Sequence, residues 1–362
     1  MDFSFSDDQL ELRSTVATVL GDWCTPADLH ARYVGLDADL GRTKGRWSAI
    51  ADLFVCGLLI DEELGGLAMD DVDLIGIAEE AGVVVLPEPL STTAGVVFPL
   101  AASTTAGAPR VKDALERGLS ATFGGAAFGA KHHKITTTVS GGEASTPRVG
   151  YGTADLFLLV VELAGDLQIH LIERDEVAVT PTPSLDLTRE MATVTWSPSG
   201  TTMICSGGEA SLLVEQLLQR AALYSAAELL GLCEAMLSLT ASYVTERKQF
   251  GVPVGSFQAV KHHLAGARVR LEFARPALYR AAYSLATGAE TSAHDVSMAK
   301  SMASDAADEA ARVSLQCHGA IGYTFEYDLH LAMKRAWALS ADFGDARSHR
   351  ARIFDLVTAA RG

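Results

Sequence analysis

Hydrophobic spacing along the chain changes character twice. In the first hundred residues it is helical. The string FSDDQLELRSTVATVLGDW offers Ser6 as an N-cap, acids in the first turn, and Leu10, Val16 and Leu20 at roughly helical spacing. WSAIADLFVCGLL predicts a second helix ending near Gly57, DEELGG a turn, and DVDLIGIAEEAGVVV a further helix. From about Ser120 to Cys205 the period shortens towards two. ADLFLLVVELAG followed by DLQIHLIERDEVAVTPT predicts two strands around an Ala-Gly-Asp turn, and MATVTW another strand. Helical spacing then returns. Leu218, Ala222, Ser225, Leu229, Leu232, Met236, Leu239 and Tyr243 form a long one-sided stripe. A following helix begins near Phe257, with Ser256 as N-cap, and carries Val260, Leu264, Ala267 and Leu271. A later one carries Met298, Met302, Ala306, Ala310, Val313 and Cys317, with Gly319 to stop it.

The pattern predicts an α+β multi-domain chain: an all-α N-terminal domain over 1–118, a small β-barrel-like domain over 119–207, and a helical bundle over 208–362. A length of 362 residues suits two or three domains. Composition adds that 48% of residues are hydrophobic, enough for a large core. The net charge of −16 makes nucleic acid and anionic membrane poor partners. The five cysteines have no CxxC spacing, so neither a disulfide framework nor a zinc module is expected. The acidic start MDFSFSDDQLEL lacks the features of a secretory signal, and the charge-free stretch from Pro89 to Pro109 is too broken for a membrane span. A soluble cytoplasmic protein with reduced thiols is expected.

Common catalytic motifs fail. There is no GxxxxGK[ST], GxSxG or HExxH, and the nearest dinucleotide fingerprint, GYGTAD from Gly150, puts Asp155 where the third glycine belongs. His132–His133 and His262–His263 are sequence neighbours that point apart, so they read as surface histidines rather than metal ligands. Two segments stand out. In ERKQFGVPVGSFQAVKHHLAG a basic helix end, a Gly/Pro loop and a new helix start adjoin. That suits an anion, and equally an ordinary helix–helix turn with basic caps. In QCHGAIGYTFEYDLHLAMKRA, Gly319 and Gly322 bracket a turn near Gln316. This suits a nucleotide phosphate or is simply a glycine-rich cap.

With MAKSMASDAADEAARVSLQCHGAIGYTFEYDLH, RKQFGVPVGSFQAVKHHLA and WSAIADLFVCGLLIDEELGG followed by AEEAG, the chain resembles the acyl-CoA dehydrogenase family over nearly its whole length. The resemblance implies that family's α–β–α fold, ending in a four-helix bundle. It also implies FAD held without a Rossmann domain, and α,β-dehydrogenation of an acyl-CoA thioester by a glutamate base and a flavin hydride acceptor. Arg247 is then implied to bind the FAD pyrophosphate with Gln249 beside it. Phe250 would pack on the adenosine and Gln258 would lie near the adenine. Gln316, Gly319 and Ala320 match the QxxGG element on the pyrophosphate. In homomeric relatives these groups reach the flavin of a neighbouring subunit.

Two parts of the family pattern are missing. The catalytic glutamate of the C-terminal YEGTxxxxR string is Phe343 here, although Gly344 and Arg350 match. Phenylalanine accepts no proton. The alternative base position, in an ERLxxA string, is Ala221 after Arg220. The flavin-side TEPxxGSD and Trp-Ile-Thr strings are absent from ATFGGAAFGAKHHK and STPRVGYGTAD. Groups that act on a neighbour persist while groups for the chain's own flavin are gone. The resemblance therefore implies a non-catalytic subunit of a heteromeric dehydrogenase, like the actinobacterial heterotetramers that act on steroid side-chain CoA esters. A catalytic paralogue would be its partner and electron-transfer flavoprotein the acceptor. One alternative is a self-sufficient homomer with Asp342, Asp345 or Glu228 as a displaced base, the two aspartates otherwise reading as solvated loop charges. Another is a flavin-free scaffold subunit.

Overall fold

A computed structural model describes residues 5–33, 40–129 and 133–359. Among the described residues seven helices come first: α1 (Asp7–Trp23), α2 (Pro26–Tyr33), α3 (Leu40–Ala51), α4 (Asp71–Val83), α5 (Leu90–Thr92), α6 (Phe98–Ala102) and α7 (Ala108–Arg117). Ser6 caps α1 in a capping box with Gln9. The helix expected to end near Gly57 stops at Ala51 instead, and Val55–Gly57 forms a separate 3-10 turn. Phe54 takes a left-handed φ of 57° there, which turns Val55, Cys56 and Leu58 inward together. Between α5 and α6 a π-helical turn, Thr93–Val97, offers the Thr93 hydroxyl to the backbone of Ala121 at 2.9–3.0 Å.

The strands follow: β1 (Ala121–Gly124), β2 (Ala126–Ala127), β3 (Lys134–Ile135), β4 (Thr138–Ser140), β5 (Glu143–Gly150), β6 (Leu156–Leu163), β7 (Asp166–Glu173), β8 (Ala178–Pro181), β9 (Met191–Trp196) and β10 (Met203–Ser206). Among the described residues they make two four-stranded sheets, ordered β1-β6-β7-β10 and β4-β5-β9-β8, with β2 paired to β3. The sheets do not close into a barrel, and β1 runs parallel to β6. β6 and β7 form the expected hairpin, closed by Ala164 and Gly165, both at positive φ. Alternate residues of β6 serve different cores. Leu156, Leu158 and Val160 face the main one, while Phe157, Leu159 and Val161 pack between the sheets with Val194 and Trp196.

The chain ends in α8 (Gly207–Glu246), a two-residue hairpin of β11 (Lys248–Gln249) and β12 (Val252–Pro253), α9 (Gln258–Ala286), α10 (Ser292–His318), α11 (Leu329–Ala341) and α12 (Ala346–Ala359). α8 to α11 pack as a bundle with α12 along α10. The one-sided stripe read for α8 understates its burial: every residue from Ala221 to Cys233 is buried. α8 is long and apolar enough to span a bilayer, yet most of that stretch is covered inside this molecule. Its central position depends on close backbone contact with α4. A Cβ on Gly231 would lie 1.9 Å from the Glu79 carbonyl oxygen, and one on Gly82 2.2 Å from that of Glu228. Ser256 does not cap α9; it bonds the Pro253 carbonyl at 2.7 Å, and Phe257 takes the cap position. Gly319, at φ 64°, ends α10 as expected.

Candidate functional site

Two places gather the chemistry. The first is a cavity of about 480 Å³ where β1, β5 and β9 meet α8 and the α11–α12 turn. Phe343 lies in its wall, its ring 5.4 Å from that of Phe123. Phe128 lies against Gly344, where a Cβ would meet its ring at 2.5 Å, and its ring is tilted against that of His349 with centroids 4.3 Å apart. Three phenylalanines thus crowd this end. The two acids flanking Phe343 are both committed. Asp342 pairs with Arg189 at 2.6 Å, so it is not a solvated loop charge. Asp345 accepts from the Ser348 N–H at 2.7 Å and caps α12. Ala221 lines the same cavity, and Glu228 sits two turns further along α8.

Behind the cavity lies a buried charge network. Arg335 pairs with Asp186, donates to Thr188 at 2.7 Å and donates to the Leu86 carbonyl at 2.9 Å. Burial alone would raise Asp186, but the Arg335 and Arg189 guanidiniums outweigh it and hold the carboxyl below its usual range. Burial pushes Glu228 up, opposed by Arg335 and by the Ser91 hydroxyl. Asp71 on α4 holds Arg220 at 2.6 Å and the Tyr224 hydroxyl at 2.5 Å. Sequence reasoning missed Asp186, Arg189 and Arg335. Their only signal is a charge set among apolar neighbours, as in LHLAMKRAWAL.

The second place is one end of the bundle. Arg247 is the C-cap of α8, exposed, and its guanidinium has no partner among the described residues. Gln249 is exposed on β11, and Phe250 at the hairpin tip is 92% exposed, held at φ 52°. Its ring meets Phe257 edge-on at 6.3 Å. Gln258 is the first residue of α9 and is exposed. Tyr243, one turn before Arg247, stacks on His318 at 4.4 Å. That stack brings the α8 terminus to the α10 terminus, where Gln316, Gly319 and Ala320 are all exposed. His262 and His263 are exposed on α9, and His132 lies outside the described residues. No metal-binding cluster is present among the described residues.

A family model, "Acyl-CoA dehydrogenase, C-terminal domain", matches residues 211–355. Acyl-CoA dehydrogenase IpdE2 of Mycolicibacterium smegmatis is 30% identical over 350 residues, covering 96% of this chain and 98% of that protein. The chain belongs to the acyl-CoA dehydrogenase family. In fold it is similar to a chain of the ChsE4-ChsE5 complex from Mycobacterium tuberculosis, with a TM-score of 0.83, 21% identity and 99% of each chain covered. It is similar also to the Tcur3481-Tcur3483 steroid ACAD, at a TM-score of 0.82 and 22% identity, over 98% of this chain and 99% of that one. The family's cofactor is FAD. The exposed, unpartnered Arg247, the projecting Phe250 and the amides of Gln249, Gln258 and Gln316 fit the ADP half of that molecule. Phenylalanine rings share the cavity wall with Thr122, Tyr151, Arg189 and Glu228.

Proposed function

We propose that this chain is a non-catalytic subunit of a heteromeric, flavin-dependent acyl-CoA dehydrogenase, and that it holds the ADP half of a flavin seated in a catalytic paralogue. The observation that carries this reading is the contrast between the two sites. Phe343 stands where the family places its base, with both flanking aspartates committed, while Arg247, Gln249, Phe250, Gln258 and Gln316 stand exposed at the bundle end. FAD in the partner would supply hydride acceptance. Arg247 would neutralise the pyrophosphate, Phe250 would cover the adenosine, and the backbone at Gly319 and Ala320 would let the phosphates approach. The two-chain composition of ChsE4-ChsE5 and of Tcur3481-Tcur3483 supports a paralogous partner, and the latter's description supports a steroid CoA ester as substrate class. Electron-transfer flavoprotein is the proposed acceptor.

The test is Arg247→Ala in the purified complex. An Arg–phosphate bond is charge-assisted and worth about 1.5–3 kcal/mol, so FAD affinity should drop about tenfold or more. Unchanged flavin content would favour the scaffold reading. One observation favours a self-sufficient enzyme. Glu228 is a buried carboxyl that lines the cavity and is pushed towards its neutral form, as a general base often is. That reading requires acyl-CoA dehydrogenation by the lone chain, lost in Glu228→Gln.

A further inference from the structure

The groups placed on the flavin phosphates come from two separate helix ends. Arg247 caps α8, whereas Gln316, Gly319 and Ala320 stand where α10 finishes. Charge-assisted contacts depend on geometry, so the two ends need a fixed spacing. His318, the last residue of α10, joins them and is 4% exposed. Its ring stacks on Tyr243 of α8 at 4.4 Å with 23° between the planes. The Tyr243 hydroxyl also donates to the His318 carbonyl at 3.4 Å. Tyr243 lies one turn before Arg247, and its own carbonyl accepts the Arg247 N–H at 2.9 Å. On the other side, His318 leads directly into Gly319, whose φ of 64° opens the turn. Gly322 closes that turn back on the same residue, where a Cβ would lie 3.0 Å from the His318 Cβ.

The imidazole is held at both nitrogens. Nδ1 is 2.7 Å from the Ser314 carbonyl, which only accepts, so Nδ1 carries a proton. In the neutral ring Nε2 then accepts from the Tyr327 hydroxyl at 3.0 Å. Tyr327 meets Tyr243 edge-on at 5.8 Å and ties the group to the approach to α11. A ring bonded at both nitrogens and stacked on a neighbour resists rotation, as a residue that sets the spacing of a binding site must.

We propose that Tyr243 and His318 are positioning residues of the flavin clamp, their stack fixing the gap between Arg247 and the Gly319–Ala320 turn. This rests on the clamping role and adds what aligns it. The test uses the complex purified with its catalytic paralogue, stripped of flavin and titrated with FAD by fluorescence, with the melting temperature of each variant recorded. Tyr243→Leu removes the stack and should weaken FAD binding about threefold to tenfold. Tyr243→Phe keeps the stack and should restore affinity to within about twofold of wild type. Tyr243→Leu combined with His318→Ala should bind no more weakly than the worse single variant, because one contact is lost only once. Tyr327→Phe removes a single oxygen and should weaken binding about threefold; it decides the matter if the leucine variant does not assemble. Unchanged FAD affinity in Tyr243→Leu with a lower melting temperature, additive losses in the double variant, or unchanged affinity in Tyr327→Phe would make the group a packing contact and overturn the inference. Arg247→Ala in the same complex separates the two claims. If it weakens FAD binding while the tyrosine variants do not, only the positioning role fails; if it has no effect, the clamping role fails too.

Discussion

At the scale of single residues, the same amino-acid types have opposite meanings in the two sites. Arg335 and Arg189 are buried and matched by acids, so they hold the fold together at the cavity wall. Arg247 is solvated and unmatched, which costs the lone chain nothing and leaves the guanidinium ready for an incoming phosphate. This gives the Arg247 prediction a finer form. Arg247→Lys keeps the charge and loses the planar fork, so the complex should hold flavin at an affinity between wild type and Arg247→Ala. Equal flavin retention in all three, read from absorbance per complex, would remove Arg247 from the clamp. The buried network was invisible in the sequence because Asp186 and Arg335 lie 149 positions apart. The bundle-end residues were legible as short strings, since RKQF and QCHGA each fall within a few positions.

At the scale of elements, periodicity carried most of the fold. The β6–β7 hairpin, the MATVTW strand and the C-terminal helices follow from spacing alone. What spacing did not carry was decided by tertiary contact. α3 stops six residues short of Gly57 because the apolar residues after Ala51 pack inward from a left-handed bend rather than on a helix face. Ser256 is drawn to the Pro253 carbonyl instead of capping α9. α8 looked one-sided, yet it is enclosed, because Gly82 and Gly231 let α4 lie directly on it. This crossing also fixes Glu228 and Tyr224 against the cavity. Gly231→Ala would drive a methyl into the Glu79 carbonyl, where backbone must move. A loss of about 1–3 kcal/mol or more is expected, read as a lower urea midpoint at unchanged slope. An unchanged midpoint would mean that the helices are not in contact there.

At the scale of the whole molecule, two buried histidines tie stability to pH. Burial lowers His170 to about 4 and His349 to about 3. His349 donates Nε2–H to the Phe343 carbonyl, and its Nδ1 is buried with no partner, so a second proton would find no acceptor. Both folded values lie below the unfolded 6.5, so the unfolded chain takes up protons that the fold refuses. Stability from this source is complete above about pH 6.5 and is lost as pH falls towards 4. His349→Asn should therefore flatten the pH dependence of unfolding between pH 4.5 and 6 by about one proton, or about 1.4 kcal/mol per pH unit. Denaturant titrations at several pH values read this directly, and an unchanged slope would mean that His349 titrates normally in the fold.

The same scale carries the central claim, that half of a flavin site is kept here for another chain. The measurement that reaches it most directly is the visible spectrum of the chain purified alone and purified with a co-expressed catalytic paralogue, with FAD counted per chain. The division between an exposed, unpaired Arg247 and a phenylalanine-crowded cavity predicts a colourless lone chain and a yellow complex, with one flavin for each pair of unlike subunits. About one FAD per lone chain would contradict it and would return the search for the base to Glu228.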